Sequence, residues 1–62
     1  MSGQMYLSNE DLAARYNVPL KTIRKWRYEG TGPRGFRVGR HVRYRESDVL
    51  LWEQVRLEDR QR

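Results

Sequence analysis

The feature that most constrains this chain is a basic segment that must also supply much of its core. Nine of the thirteen Lys and Arg residues lie between Val18 and Val49, where they alternate with apolar residues. A chain of 62 residues buries only about 60% of its unfolded surface. The sequence has no Cys, so disulfides cannot supplement the core. Each basic element must therefore have one apolar face and one charged face.

The charge is concentrated in one part of the chain. Residues 21–45 hold nine basic residues and one acid, Glu29, whereas the rest of the chain is mildly acidic. A solvated surface would not concentrate one sign so strongly, so this block indicates a surface that binds a polyanion. No apolar run approaches the roughly 18 residues of a membrane span, and we see no secretion signal. We therefore expect a soluble, cytoplasmic protein that does not bind membranes.

A first helix is predicted over residues 8–16. Ser8 and Asp11 have the spacing of a capping box, in which each residue satisfies a backbone N–H group of the other. Leu12 and Tyr16 follow on one apolar stripe. The helix is expected to end before Pro19, because a residue that precedes proline is disfavoured in helical geometry.

A second helix is predicted from Pro19, as its first residue, to a stop at Gly30. At 100° per residue, Ile23 and Trp26 point to the same side as Pro19. The opposite side carries Lys21, Arg24, Lys25 and Tyr28, and the flanks carry Leu20, Thr22 and Arg27. Two short helices joined by a tight turn, the second one basic outside, form a helix-turn-helix arrangement.

The segment "FRVGRHVRY" alternates with period two and predicts a β-hairpin. A three-residue tip at residues 39–41 keeps the apolar residues on one face. This register pairs Val38 with Val42, Phe36 with Tyr44, and Arg37 with Arg43. The two facing arginines would repel each other mildly, and a bound anion would relieve that repulsion.

A third helix is predicted after Arg45, and its first turn contains Glu46, Ser47 and Asp48. Its apolar stripe consists of Val49, Trp52 and Val55. Leu50 and Leu51 widen this stripe. The predicted core contains Ile23, Trp26, Phe36, Val38, Tyr44 and Trp52. We therefore expect an α+β fold, a small winged helix-turn-helix with a two-stranded wing and a C-terminal helix. It should form a single domain over residues 1–62, ordered over about residues 5–56, with a frayed C-terminal tail.

The sequence offers no set of residues suited to catalysis. His41 is the only histidine and lies at the hairpin tip. The acidic pairs Glu10/Asp11 and Glu46/Asp48 stand at helix starts, where stabilisation by the helix dipole accounts for them. We therefore predict no enzyme activity, no metal site and no cofactor.

Double-stranded DNA is the polyanion that best fits the basic elements, because an α-helix enters its major groove. In a helix-turn-helix the second helix does so. We expect Lys21 and Arg24 to contact bases, and Lys25 and Arg27 to hold phosphates. Leu20 and Thr22 could touch a thymine methyl group or could merely pack, and Tyr28 completes the outward face. The wing residues Arg37, Arg40, His41 and Arg43 could follow the backbone or enter a minor groove.

Three stretches, "YLSNEDLAARYNVPLKTIRKW", "GPRGFRVGRHVRY" and "SDVLLWE", resemble the MerR-like winged helix-turn-helix family. This family includes phage excisionases and small regulators of the AlpA and BldC type, and the chain looks most similar to excisionases of actinobacterial phages. The resemblance implies head-to-tail binding to adjacent DNA sites, DNA bending, and direction of a tyrosine integrase toward excision. It carries the recognition-helix role onto Leu20, Lys21, Thr22, Arg24 and Lys25, and the wing role onto Arg37, Arg40, His41 and Arg43. The long coiled-coil helix of full MerR regulators is missing, so no small-molecule effector is expected.

Two other functions remain open. A small transcriptional regulator would use the same residues and differ only in where its DNA sites lie. A protein-binding module for an acidic partner would bind duplex DNA no better than heparin.

Overall fold

The computed structural model describes residues 5–60, which form three helices and a small antiparallel sheet. In chain order, the elements are β1 (Tyr6–Leu7), α1 (Asn9–Tyr16), α2 (Leu20–Glu29), β2 (Phe36–Val38), β3 (His41–Arg45) and α3 (Glu46–Arg60). The predicted α+β fold, with a helix-turn-helix, a wing and a C-terminal helix, is confirmed. The sequence did not predict β1, which makes the sheet three-stranded in the order β1-β3-β2. None of the described helices is both long enough and apolar enough to cross a membrane.

The predicted capping box fixes the start of α1. The backbone N–H of Asp11 donates to the Ser8 hydroxyl at 3.0 Å, and the backbone N–H of Ser8 donates to the Asp11 carboxylate at 2.9 Å. At the other end, Asn17 adopts a left-handed conformation with φ 56° and closes the helix. The turn between α1 and α2 is therefore set by residues at positions that the sequence pattern identifies.

Helix α2 begins one residue later than predicted. Pro19 has an extended ψ of 151° and caps the helix, and its carbonyl accepts the backbone N–H of Thr22 at 3.0 Å. The helix ends at Gly30, as predicted. Proline serves as well at the cap as at the first helical position, because neither position needs its N–H group.

The core takes one fully buried side chain from each long element. Leu12 of α1, Ile23 of α2, Tyr44 of β3 and Val49 of α3 are each 0–1% exposed. The core assignments of Ile23 and Tyr44 are confirmed. These are the four fully buried side chains of residues 5–58. So small a core implies modest stability, and any truncation within it removes a large share of the buried apolar area.

A cluster of three aromatic side chains extends the core between the helices. The rings of Tyr16, Trp26 and Trp52 lie 5.4–6.0 Å apart between centroids and are half-buried. The Trp52 indole donates to the Thr31 carbonyl at 3.0 Å, and the Tyr16 hydroxyl donates to Glu53 at 2.6 Å. The predicted packing roles of Trp26 and Trp52 are confirmed, although neither ring is fully buried.

The predicted hairpin register is wrong. The tip has two residues, Gly39 and Arg40, and the pairs are Phe36 with Arg43, Arg37 with Val42, and Val38 with His41. Gly39 has φ 65°, and a glycine with positive φ at the first central position is the pattern of a type II′ turn. The turn residues therefore set the register.

The register prediction failed because it assumed that one face of β2 is buried. All of β2 is exposed; Phe36 is 42% exposed and Val38 is 52% exposed, so their predicted core positions are also wrong. Without a buried face, alternation does not select a register. Directly paired residues lie on the same face of a sheet, so Arg37 and Arg43 lie on opposite faces and do not face each other.

Helix α3 buries less of its predicted stripe than expected. Val49 is buried and Trp52 is half-buried, whereas Val55, Leu50 and Leu51 are 53%, 49% and 63% exposed. The helix continues to Arg60. The expected fraying of the tail and the single-domain boundary stay predictions, and residues 61–62 lie outside the described range.

Candidate nucleic-acid interface

The outward face of α2 matches the predicted arrangement. The side chains of Lys21, Arg24, Lys25 and Tyr28 are exposed, and the Tyr28 ring is 92% exposed. Leu20, Thr22 and Arg27 are half-buried on the flanks. Because Ile23 and Trp26 anchor the opposite side against the core and the aromatic cluster, the basic face is held on a fixed support.

A cleft of about 460 Å³ lies between α2, the hairpin and the first turn of α1. We call it the cationic cleft. It is lined by Arg24 and Arg27 of α2, by Arg37, Arg40, His41, Val42 and Arg43 of the hairpin, and by Asn9 and Glu10 of α1. Five arginines face one carboxylate here, so the net formal charge of the lining is +4 with His41 neutral. Such a lining attracts anions.

The predicted site residues divide between this cleft and the rest of α2. All four wing residues, Arg37, Arg40, His41 and Arg43, line the cationic cleft together with Arg24 and Arg27. Lys21, Lys25 and Tyr28 do not line it, and neither do Leu20 and Thr22. At 100° per residue, Arg24 and Arg27 project toward one side of α2, and Lys21 and Lys25 project toward another.

Most of these cations have no acidic partner. Among the side chains of residues 5–58 there are two ion pairs, Arg15 with Glu53 at 2.6 Å and Arg45 with Asp48 at 2.8 Å. The described part of the chain thus leaves eight basic residues of the 21–45 segment without an ion pair: Lys21, Arg24, Lys25, Arg27, Arg34, Arg37, Arg40 and Arg43. Their charge stays available to an external anion.

Within the hairpin, the two outer arginines have different surroundings. Arg37 pairs with Val42 on the face of the sheet that carries the buried Tyr44. The Arg43 guanidinium donates to the Val42 carbonyl at 2.8 Å, which holds it against its own strand. Arg40 lies in the turn and is exposed. The wing therefore carries cations on both faces and at its tip.

The cleft contains a polar contact that sequence reasoning missed. The Tyr44 hydroxyl, on a side chain only 1% exposed, donates to the Asn9 side-chain oxygen at 2.9 Å. Burial raises the pKa of Tyr44, and the nearby positive charge of Arg27 opposes part of that rise. Two facts point to this contact. A buried tyrosine hydroxyl needs a hydrogen-bond partner, and Asn9 follows the strand that pairs with β3. In sequence, however, Asn9 looked only like a first-turn residue.

A metal is a poor fit to this surface. Among the side chains of residues 5–58, no group of three or more His, Cys, Asp or Glu lies close enough together to hold a metal ion. The cationic cleft would also repel a cation. Its arginines suit phosphate, because guanidinium groups donate two parallel hydrogen bonds to phosphate oxygens.

Comparison with known proteins agrees with this geometry. Residues 6–54 match the family described as "Helix-turn-helix domain". No curated protein and no solved structure matches the chain. The family match runs from β1 into α3 and includes the outward face of α2 and the whole hairpin. The chain therefore belongs to the helix-turn-helix domain family and is a DNA-binding protein of that type.

Proposed function

We propose that α2 enters the major groove of duplex DNA and that the hairpin acts as a wing along the adjacent backbone. The observation that carries this proposal is the set of cations on α2 and the hairpin that have no ion pair among the described side chains. The arginines of this set on both elements line the cationic cleft. A helix of this size fits the major groove. Neutralisation of phosphates by these cations releases counterions and supplies most of the affinity.

The residues of α2 have two roles in this proposal. Lys21 and Arg24 contact base edges, because the N-terminal half of a recognition helix usually reaches them. Lys25 and Arg27 hold phosphates, and Tyr28 borders the same surface. Leu20 and Thr22 are half-buried, so any contact they make with a thymine methyl group is secondary to their packing.

The hairpin supplies the wing. Arg37, Arg40, His41 and Arg43 belong to a strand pair whose tip is exposed on both sides. In this arrangement they follow the backbone or reach into the minor groove, where narrow A·T tracts attract arginine.

We further propose that the protein is an excisionase. This proposal rests on the resemblance of its sequence to MerR-like excisionases of actinobacterial phages. The resemblance implies that the protein binds adjacent attachment-site repeats, bends the DNA and controls a tyrosine integrase. Two exposed apolar surfaces support contacts with a neighbouring copy or with the integrase. One is the outer sheet face with Tyr6, Phe36 and Val38, and the other is the α3 face with Leu50, Leu51 and Val55.

The test is a DNase footprint at physiological salt across the attachment-site arms of the genetic element that encodes the protein. Its promoters serve as the control. Several adjacent protected sites in one orientation, with enhanced cleavage between them, are expected for an excisionase. Protection confined to a promoter would contradict excision and favour a transcriptional regulator. No footprint, with duplex binding no tighter than heparin binding, would contradict both and favour an acidic protein partner.

A further inference from the structure

The shape of the cationic cleft favours one kind of ligand group. The cleft is concave and its cations come from α2 and the hairpin, with Asn9 and Glu10 of α1 along the third side. A base edge lies inside a groove and is reached by a protruding side chain, whereas a backbone phosphate protrudes and can enter a concavity. The cleft therefore suits a phosphodiester group better than a base.

Asn9 contributes a neutral hydrogen-bond donor to this cleft. Its side-chain oxygen accepts the hydrogen bond from the buried Tyr44 hydroxyl at 2.9 Å. An asparagine amide has an acceptor end, its oxygen, and a donor end, its nitrogen. The contact with Tyr44 occupies the acceptor end. Within residues 5–58, whose side chains the structure describes, the Asn9 amide nitrogen donates no hydrogen bond. The donor end is thus left for a ligand in the cleft that Asn9 lines.

The neighbouring charges fit the same ligand. Arg27 and Arg37 line the cleft on two sides and have no acidic partner within the described chain. Glu10 is exposed at the same site. Its carboxylate would oppose a phosphate directly beside it, so the phosphate must lie on the arginine side of Asn9.

We infer that the cationic cleft is a specific phosphodiester site, in which the Asn9 amide donates to one backbone phosphate and Arg27 and Arg37 neutralise it. Tyr44 is a positioning residue, because it acts through Asn9 and touches no ligand. The inference rests on the proposed binding of duplex DNA and deepens it. It assigns a DNA contact to α1, outside both the recognition helix and the wing.

The first test measures the affinity of variants for a footprinted duplex and for a random duplex by fluorescence anisotropy. Asn9→Ala should weaken binding to both by about ten-fold, the loss expected for a hydrogen bond to a charged group. Tyr44→Phe keeps the ring and removes the hydroxyl, and it should cause a smaller loss. The double variant should lose less affinity than the sum of the two single losses, because both changes remove the same Tyr44–Asn9 contact. Ser47→Ala, an exposed polar truncation in the first turn of α3, should bind like the wild type.

The second test neutralises single phosphates with methylphosphonate, which also guards against a folding defect in a variant. One position should weaken wild-type binding by at least about ten-fold. It should weaken the binding of folded Asn9→Ala, checked by circular dichroism, clearly less, because only the two arginines still contact that phosphate. The inference is overturned, and the proposed function stands, if the wild type binds duplex DNA but methylphosphonate at that position weakens the binding of Asn9→Ala as much as that of the wild type. If the wild type binds no duplex, the proposed function itself fails.

Discussion

Two regions of this small protein use arginine in opposite ways. Where α1 meets α3, Arg15 is paired with Glu53 at 2.6 Å, and the same carboxylate accepts the Tyr16 hydroxyl. Where α2 meets the hairpin, Arg24, Arg27 and the wing arginines surround a cleft with one glutamate. The paired arginine contributes to the fold, and the unpaired ones carry charge that the fold does not use. We propose that this unused charge marks the DNA-binding surface.

The largest expected effect comes from removing the aromatic support that the two regions share. Trp26 lies on α2 and packs against Tyr16 of α1 and Trp52 of α3. Trp26→Ala should lower the free energy of unfolding by about 3 kcal/mol, near the lower end for tryptophan truncation because the ring is half-buried. Urea denaturation followed by circular dichroism measures it. A variant that stayed as stable as the wild type but lost DNA binding would show that Trp26 belongs to the contact surface.

The two kinds of arginine should respond differently to the same substitution. Arg24→Ala should cost about 1–3 kcal/mol of binding free energy on the specific site and leave the thermal midpoint unchanged. Arg15→Ala should leave DNA affinity unchanged and cost at most about 1 kcal/mol of stability, because Arg15 and Glu53 form a partly exposed ion pair. Anisotropy titrations and thermal melts of both variants make the comparison. If Arg24→Ala lost equal affinity on specific and random duplexes, Arg24 would be a phosphate contact only.

The salt dependence of binding separates phosphate contacts from base contacts. Lys25→Ala should weaken binding to specific and random duplexes alike and reduce the slope of log affinity against log salt by about 1. Titrations at four salt concentrations measure that slope. An unchanged slope, or a loss confined to the specific site, would contradict the phosphate role of Lys25.

High pH should act on one tyrosine in each region, the half-buried Tyr16 and the buried Tyr44. Burial raises the pKa of Tyr16 and of Tyr44 above the ordinary value of 10.0, and for Tyr16 the hydrogen bond to Glu53 adds to the rise. The unfolded chain loses these protons first, so the stability they contribute is full below about pH 10 and falls as the pH rises further. Tyr16→Phe should flatten this decline in urea denaturation between pH 8 and 11. Tyr28→Phe, which changes an exposed ring, is the control and should show the wild-type dependence of stability on pH. The same wild-type dependence in Tyr16→Phe would contradict the account.

Sequence alone predicted the helices because their ends depend on local chemistry. Backbone groups at the helix ends are satisfied by residues only a few positions away: by the Ser8 and Asp11 pair, by Asn17 ahead of Pro19, and by Gly30. Such local signals can be recognised from the sequence alone. The amphipathic face of α2 followed from the same helical period. The outward residues of α2 were therefore identified correctly as exposed.

The sheet could not be predicted in the same way. Strand β1 has only two residues, too short for alternation to be visible, and its pairing with β3 joins Tyr6 to Arg45 across the chain. The β2 register depends on the Gly39 turn, since no buried face of β2 selects it. Gly35 adds a further constraint, because a Cβ there would lie 2.7 Å from the Tyr44 ring. Asn9 was missed because its role depends on contact with β3, which the sequence does not reveal.

The measurement that tests the central claim most directly is an NMR titration of the ¹⁵N-labelled protein with a footprinted duplex. The account predicts that amide shifts concentrate in α2, in the hairpin and at Asn9, and that the amides of α3 around Glu53 barely move. Shifts centred on α3 and the paired arginines, with α2 and the hairpin unperturbed, would contradict the claim that unpaired charge marks the DNA-binding surface.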